Sequence, residues 1–289
     1  MRDLTYGFKL LGQRNRDGSF ATQANRMRML SLFAEQLYEA GFKQVTEPGH
    51  LKGRHVDALL DRWKQEGISD ATMKNRMSVI RWWAEKVGRS SVVFRDNAAY
   101  GIDNRQYVTN KQKAQTLDGD KWAQVKDEYV KLSLELQAAF GLRREESLKF
   151  QPHFADRGDC IVLKSSWTKG GKERTVPIRN AVQRELLDRL HKKLAKASLI
   201  PSSRTYIQQV KIYERHTNEV GLSKLHGLRH QYAQTRYLEL TGRQAPAAGG
   251  KSSKELTPEE KQVDLEARLQ ISKELGHERE QITAVYLGR

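Results

Sequence analysis

Between residues 21 and 88 apolar side chains return every three or four positions in three blocks, and each block ends on a glycine. That spacing restricts the stretch to three amphipathic helices packed on one another. The first block, 21–40, puts Met29, Leu30, Phe33, Leu37 and Tyr38 on one face, with Gly41 where a helix C-cap belongs. The second, 52–66, does the same with Val56, Leu59, Leu60 and Trp63, and stops at Gly67. The third opens on Ser69 or Asp70 as N-cap and turns Met73, Met77, Ile80, Trp83 and Ala84 inward, while Lys74, Arg76, Arg81 and Lys86 face outward up to Gly88. Residues 1–100 are therefore expected to form a small helical domain.

The pattern then changes. Residues 101–115, with Gly101, Asp103, Asn104 and Asn110, show little periodicity and read as a linker. Helical spacing resumes near Leu117 and runs from Trp122 to Phe140. Two short apolar runs, 160–163 and 174–178, flank Thr168-Lys169-Gly170-Gly171 and predict a β-hairpin. The remainder is mostly helical, except that 242–262, rich in Gly, Ala, Ser, Lys and Glu, reads as an exposed loop or mobile arm. The fold class expected is mainly α with a small β-sheet, with a second domain over 116–289.

Net charge narrows the partner. The 289 residues carry 51 Lys and Arg against 35 Asp and Glu, for +16, and the excess is split evenly, +8 in residues 1–115 and +8 in 116–289. Both parts suit a polyanion, nucleic acid first. No stretch approaches the roughly 20 apolar residues needed to span a bilayer, and residues 1–6 lack the apolar run of a signal peptide, so an intracellular protein without a membrane partner is expected. Cys160 is the only cysteine, which excludes an intrachain disulfide and a cysteine-based zinc site.

Chemistry must then come from Tyr, His, Lys, Arg or carboxylates. Tyr286 follows His277 by nine residues. A phenol, with a pKa of about 10, needs a proton acceptor and a cationic cradle to attack phosphate. Arg143 follows Gly141 at a helix junction, where its fork could grip a phosphate or simply pair with Glu145 or Glu146. His226 and Arg229 are three apart and share a helix face. Lys169 marks the hairpin tip. Each has an ordinary reading alone: a solvated turn lysine, a structural His230, a terminal aromatic in the core. Two other motifs fail. Glu173, not Ser or Thr, follows Lys172, so there is no Walker loop, and Gln281 stands where the second histidine of His-Glu-x-x-His would be.

The order Gly141-Leu142-Arg143-x-x-Glu146, hairpin Lys169, His226-x-x-Arg229-His230, Leu275-Gly276-His277, Tyr286 resembles the tyrosine recombinase (phage integrase) family motif by motif over residues 116–289. The helical N-terminal region is similar in layout to that family's core-binding domain. The resemblance implies that Tyr286 attacks the scissile phosphate of duplex DNA, leaving a 3′-phosphotyrosyl enzyme and a 5′-hydroxyl. Arg143 and Arg229 would hold the non-bridging oxygens, Lys169 would protonate the leaving oxygen, His226 would act as base or proton shuttle, and His277 would donate to the phosphate. Glu146 would orient the arginine, with His230 as support. It implies no metal and no other cofactor, a homotetramer on DNA, accessory DNA-bending or directionality factors, and a cytoplasmic, nucleoid-associated protein. Lys172 and Arg174 are expected as DNA-backbone contacts, and Lys74, Arg76 and Arg81 as groove contacts. The long interval from Arg229 to His277 departs from the family pattern. So does the short stretch after Tyr286, from which no C-terminal helix for docking on a neighbouring protomer is expected; nor is a separate N-terminal arm-binding domain. The alternatives are a relaxing, topoisomerase-like enzyme and a DNA-binding regulator that does not cleave.

Overall fold

A computed structural model describes residues 3–104, 106–277 and 279–289. The chain divides between Gln106 and Tyr107 into two compact units. The boundary falls inside the expected linker, and residues 107–115 belong to the second unit.

The first unit holds α1 (Asp3–Arg14), α2 (Phe20–Glu39), α3 (Gly53–Gln65) and α4 (Asp70–Lys86). The three expected helices form where their apolar periodicity placed them. Ser19 caps α2 by accepting from the Thr22 N–H. Leu30, Phe33, Leu37, Val56, Leu59, Trp63, Met77, Ile80 and Trp83 make one core, while Tyr38 stays exposed. The Trp63 indole N–H donates to Gln36 Oε1 at 2.9 Å, so the ring is buried with its polar atom satisfied. Helix α1 was not expected, because Gly7 and Gly12 dilute its pattern. Packing supplies what propensity lacks: Leu4 and Phe8 are buried, and Phe8 meets Trp83 edge-on at 4.7 Å.

The second unit begins with α5 (Gly119–Gln124) and α6 (Glu128–Phe140). The periodic run expected as one helix breaks at residues 125–127, because Asp127 turns extended and caps α6 by accepting from the Val130 N–H. Next come α7 (Arg144–Lys149), α8 (Pro152–Ala155), strands β1 (Cys160–Leu163) and β2 (Arg174–Pro177), and α9 (Ala181–Leu194). The strands pair antiparallel, with Ile161 opposite Val176 and Leu163 opposite Arg174. The unit closes with α10 (Tyr206–Glu219), α11 (His226–Thr241), α12 (Pro258–Glu274) and α13 (Glu280–Leu287). Its largest core joins Phe140, Ile161, Leu163, Val176, Leu187, Tyr232, Tyr237, Ile271 and Leu287. The fold is thus mainly helical with one small antiparallel sheet.

Residues 242–257 are loop, as expected, apart from one 3-10 turn at Pro246–Ala248, and part of this loop is buried. Ala245, Pro246 and Ala247 are buried in a single 3-10 turn, and α12 starts at Pro258 behind a Thr257/Glu260 capping box. The Tyr237 hydroxyl donates to Asp264, which also accepts from Arg268. Composition concealed a segment that packs because its few apolar residues are small. No described helix is long and apolar enough to cross a membrane.

Candidate active site

The turn from α6 into α7 shapes one wall. Gly141 ends α6 with φ +61°, and a Cβ there would sit 2.7 Å from the Tyr232 ring, so both backbone sign and space call for glycine. The turn aims the Gly141 carbonyl at Arg229 and makes Arg143 the N-cap of α7. Glu146, fully buried, is the hub: it accepts from the Arg143 N–H at 2.6 Å, from Arg143 Nη1 at 2.8 Å, and from both Arg174 Nη atoms at 2.6 and 2.7 Å. Burial alone would raise this carboxyl, but Arg174 first, then Arg229 and Arg143, hold it down at about 2.

This arrangement corrects one expectation. Arg174 lies at the base of the hairpin, buried in a bidentate pair with Glu146, and is not a surface contact for a DNA backbone. The sequence signal was available: in a two-stranded hairpin Arg174 has the parity of the buried Val176. Lys169 and Lys172 lie in the exposed connection between the strands, beside Gly170 and Gly171, both with positive φ.

Helix α11 supplies the next wall. His226 is its first residue, and its start is fixed by residues 113–115: the Gln115 N–H donates to the Gly227 carbonyl, and a Cβ on Gly227 would meet the Lys113 carbonyl at 2.8 Å. One turn on, Arg229 is only 1% exposed. Its Nη1 donates to the Gly141 carbonyl and its Nη2 to the Leu275 carbonyl, tying α11 to the ends of α6 and α12. Its Nε points at the Tyr286 hydroxyl, 3.4 Å away. Burial lowers this guanidinium to about 10, still far above neutrality.

Tyr286 is buried on α13 with its hydroxyl between two partners, Arg229 Nε and His277 Nε2, each at 3.4 Å. Three imidazoles surround the phenol ring, with centroids at 4.7 Å for His230, 5.8 Å for His277 and 5.9 Å for His226. Burial first, then neighbouring cations, pushes His230 and His277 down to about 4 and lowers His226, which stands at the exposed mouth. His230 and His277 are therefore neutral at pH 7. His277, not His226, is the ring whose nitrogen reaches the hydroxyl.

Arg143, Arg229, His226, His230, His277 and Tyr286 thus converge, with Glu146 and Arg174 behind them. Residues that sequence reasoning missed hold the tyrosine in place. Gln234 donates to the Tyr286 carbonyl at 3.1 Å and exchanges hydrogen bonds with Gln112. Asn110 brackets the Arg289 backbone, donating to its carbonyl at 2.7 Å and accepting from its N–H at 2.8 Å. Both Gln112 and Asn110 come from the segment read as linker, and uncharged amides give no sequence signal of this use. Among the described residues no group of three or more His, Cys, Asp or Glu is placed to hold a metal. Glu278 lies outside the described residues.

The basic residues of α4 are tied within their own unit. Lys74 donates to Asn104 at 3.0 Å, Arg81 to the Phe94 carbonyl and Asn97, and Arg76 lies over the Trp63 ring at 5.0 Å, half-buried. The outward face expected for them is only partly open.

Fold and site define a two-unit, mainly helical protein with a tyrosine held in a cage of guanidinium and imidazole groups. Residues 1–93 match the family model described as phage integrase, N-terminal, and residues 104–235 match that described as integrase. The chain belongs to the tyrosine recombinase (phage integrase) family. Solved structures share the fold at low identity. A lambda integrase dimer bound to a COC′ core site aligns with TM-score 0.63 and 16% identity over 99% of this chain and 77% of that one. The Tn1549 transposon integrase in complex with circular intermediate DNA gives 0.58 and 11% over 100% and 96%. The XerH site-specific recombinase bound to difH gives 0.54 and 16% over 98% and 80%. No curated protein sequence matches significantly.

Proposed function

We propose that the protein is a site-specific recombinase that cleaves and rejoins duplex DNA through Tyr286, integrating or excising a mobile element. The observation that carries this is the Tyr286 hydroxyl between Arg229 Nε and His277 Nε2. Arg229 can only donate, so the hydroxyl oxygen accepts from it and its proton is free to point to His277, a neutral imidazole able to take it. As the phenol oxygen bonds to phosphorus, its proton passes to His277 and the bond from phosphorus to the 5′-oxygen breaks. Lys169, carried on the glycine-rich tip, delivers a proton to that oxygen. Arg143 and Arg229 balance the charge that builds on the non-bridging oxygens. Two guanidiniums and a lysine supply the charge a metal ion supplies elsewhere, so the step runs without metal or nucleotide cofactor. The 3′-phosphotyrosyl bond keeps the energy of the broken phosphodiester, and a 5′-hydroxyl from a second duplex reverses the step to complete exchange.

Arg229 lies beneath Tyr286, so phosphate entry shifts the phenol, and its negative charge raises the neighbouring histidines. The net +8 of each part supports duplex DNA as partner. Assembly as a homotetramer on DNA, with accessory DNA-bending or directionality factors, in the cytoplasm and on the nucleoid, completes the reading. A solved lambda integrase is a tetramer on a Holliday junction. The test is a denaturing gel of wild type and Tyr286→Phe with nicked duplexes spanning the junction of the circularised element, in EDTA. A covalent band in wild type alone is expected. Tight binding by both with no band would instead support a DNA-binding regulator that does not cleave.

A further inference from the structure

The first unit holds a second cluster of basic side chains, at the start of α3 and at Arg89 just after α4. A cavity of about 220 Å³ opens at the N-terminus of α3 and is lined by His50, Lys52, Arg54, His55 and Arg89, with Gln44 and backbone of the preceding loop completing it. No carboxylate lines it; Glu47 lies 3.9 Å from His50 Nε2. Among the described residues neither Lys52 nor Arg89 forms an ion pair with an acid, and Lys74 and Arg81 of α4 are engaged elsewhere, by Asn104, Asn97 and the Phe94 carbonyl. At the start of this 13-residue helix the Lys52 N–H donates to His55 Nδ1 and the His55 N–H to the Lys52 carbonyl, which leaves the Gly53 and Arg54 amides to add their partial positive charge at the same place.

An independent sign comes from His55. It is 1% exposed, and its Nδ1 accepts from the Lys52 N–H at 3.2 Å, so the neutral ring carries its proton on Nε2. That Nε2 is buried with no partner. Burial, then Arg54, Lys52 and His50, pushes His55 down to about 4, which keeps the ring neutral. A buried donor without an acceptor, a helix N-terminus and four cationic or imidazole side chains share one ligand chemistry, the phosphate oxyanion.

We propose that this cavity seats one phosphate of the duplex DNA backbone, with its oxygens on the first-turn amides of α3, Lys52 and Arg89, and with His55 donating from the floor. The assignment rests on the reading of the chain as a duplex-DNA-binding protein. A single seated phosphate fixes the unit's register on the duplex without reading its sequence.

Two measurements on the whole chain test it. Inorganic phosphate is titrated while the Gly53 and Arg54 amide resonances are followed, and affinity for a short duplex is measured against salt for wild type, Arg89→Gln and Lys52→Gln. Saturable amide shifts are expected, weakened in both variants, and the slope of log affinity against log salt falls by about 1 for each cation removed. Unmoved amides together with unchanged slopes would overturn the site. Shifts with unchanged slopes would make the occupant free phosphate and overturn its assignment to DNA. Tyr286→Phe run alongside separates the two readings: the same slope as wild type with no covalent product from either protein would defeat the recombinase function and leave this pocket standing.

Discussion

The base and the tip of the β1–β2 hairpin carry cations of opposite design. At the base Arg174 is buried and held by two hydrogen bonds to a carboxylate whose other contacts fix Arg143. At the tip Lys169 is exposed between Thr168 and two glycines of positive φ. The base is preorganised, so its charge does no reorganising when phosphate arrives. In the proposed reaction the tip lysine gives up its proton only once substrate is present, and its exposed position keeps it clear of the core. A site can therefore divide its positive charge between a rigid frame and a movable arm, and substitutions at the two ends should fail in different ways.

Removing the frame should do most damage. Glu146→Ala leaves three guanidiniums without their buried counter-ion, an arrangement that costs about 3–5 kcal/mol. Chemical denaturation should show that loss, and covalent complex formation should vanish with it. A milder form of the test uses pH. The Glu146 carboxyl is depressed to about 2, so its contribution is complete above the unfolded value of about 4.3 and is lost as pH falls toward 2. Wild type should lose on the order of 3 kcal/mol across that window, and Glu146→Gln, already weakened, should show a flatter curve there.

Lys169→Ala should leave the thermal midpoint within a degree or so of wild type, since nothing in the core touches it, yet slow cleavage by about 10²–10⁴-fold as expected for loss of a general acid. A substrate with sulfur in place of the bridging 5′-oxygen sharpens the contrast. A thiolate leaves without a proton, so the Lys169→Ala deficit should shrink on it while a Glu146→Ala deficit should not. Equal deficits on both substrates would remove Lys169 from the role of acid.

His277 sits between frame and arm. Its depressed pKa means the folded state resists a proton that the unfolded chain accepts, so stability present above pH 6.5 falls as pH drops toward 4. His277→Gln should lessen that fall by up to about 1.4 kcal/mol per pH unit, the contribution of one proton, read from denaturation midpoints at pH 7, 6 and 5. A saturating duplex should reverse the sign at this residue, because a phosphate beside the ring favours its charged form. Asn110→Ala should act more weakly, removing about 1–2 kcal/mol from the two hydrogen bonds to the Arg289 backbone and slowing covalent complex formation more than it weakens DNA binding.

The side chains that converge on Tyr286 were legible because the proposed chemistry restricts residue type and order: tyrosine, histidine and arginine at fixed places along helices. The helices of residues 21–88 were legible because burial imposes a period. What surrounds the site was hidden for physical reasons. Asn110, Gln112 and Gln234 act through amide groups that any loop or helix face also carries, and their partners are 52 to 179 residues away along the chain. Arg174 was hard to place because its charge points to the surface while its strand parity points to the core. The turn at Ala245–Ala247 was hidden because alanine and proline are small and carry no helical or strand spacing, yet it is buried against α13.

The smallest expected effect lies on α4 and separates exposure from availability. Arg81 spends its guanidinium on the Phe94 carbonyl and Asn97, holding the segment after α4 in place. If those bonds exhaust it, Arg81→Ala should change the salt dependence of duplex binding by much less than the unit slope expected for a lost phosphate contact, while destabilising the fold by about 1 kcal/mol. A full unit of slope would show instead that DNA competes successfully for this side chain, and that the α4 face, not only the α3 end, follows the phosphate backbone.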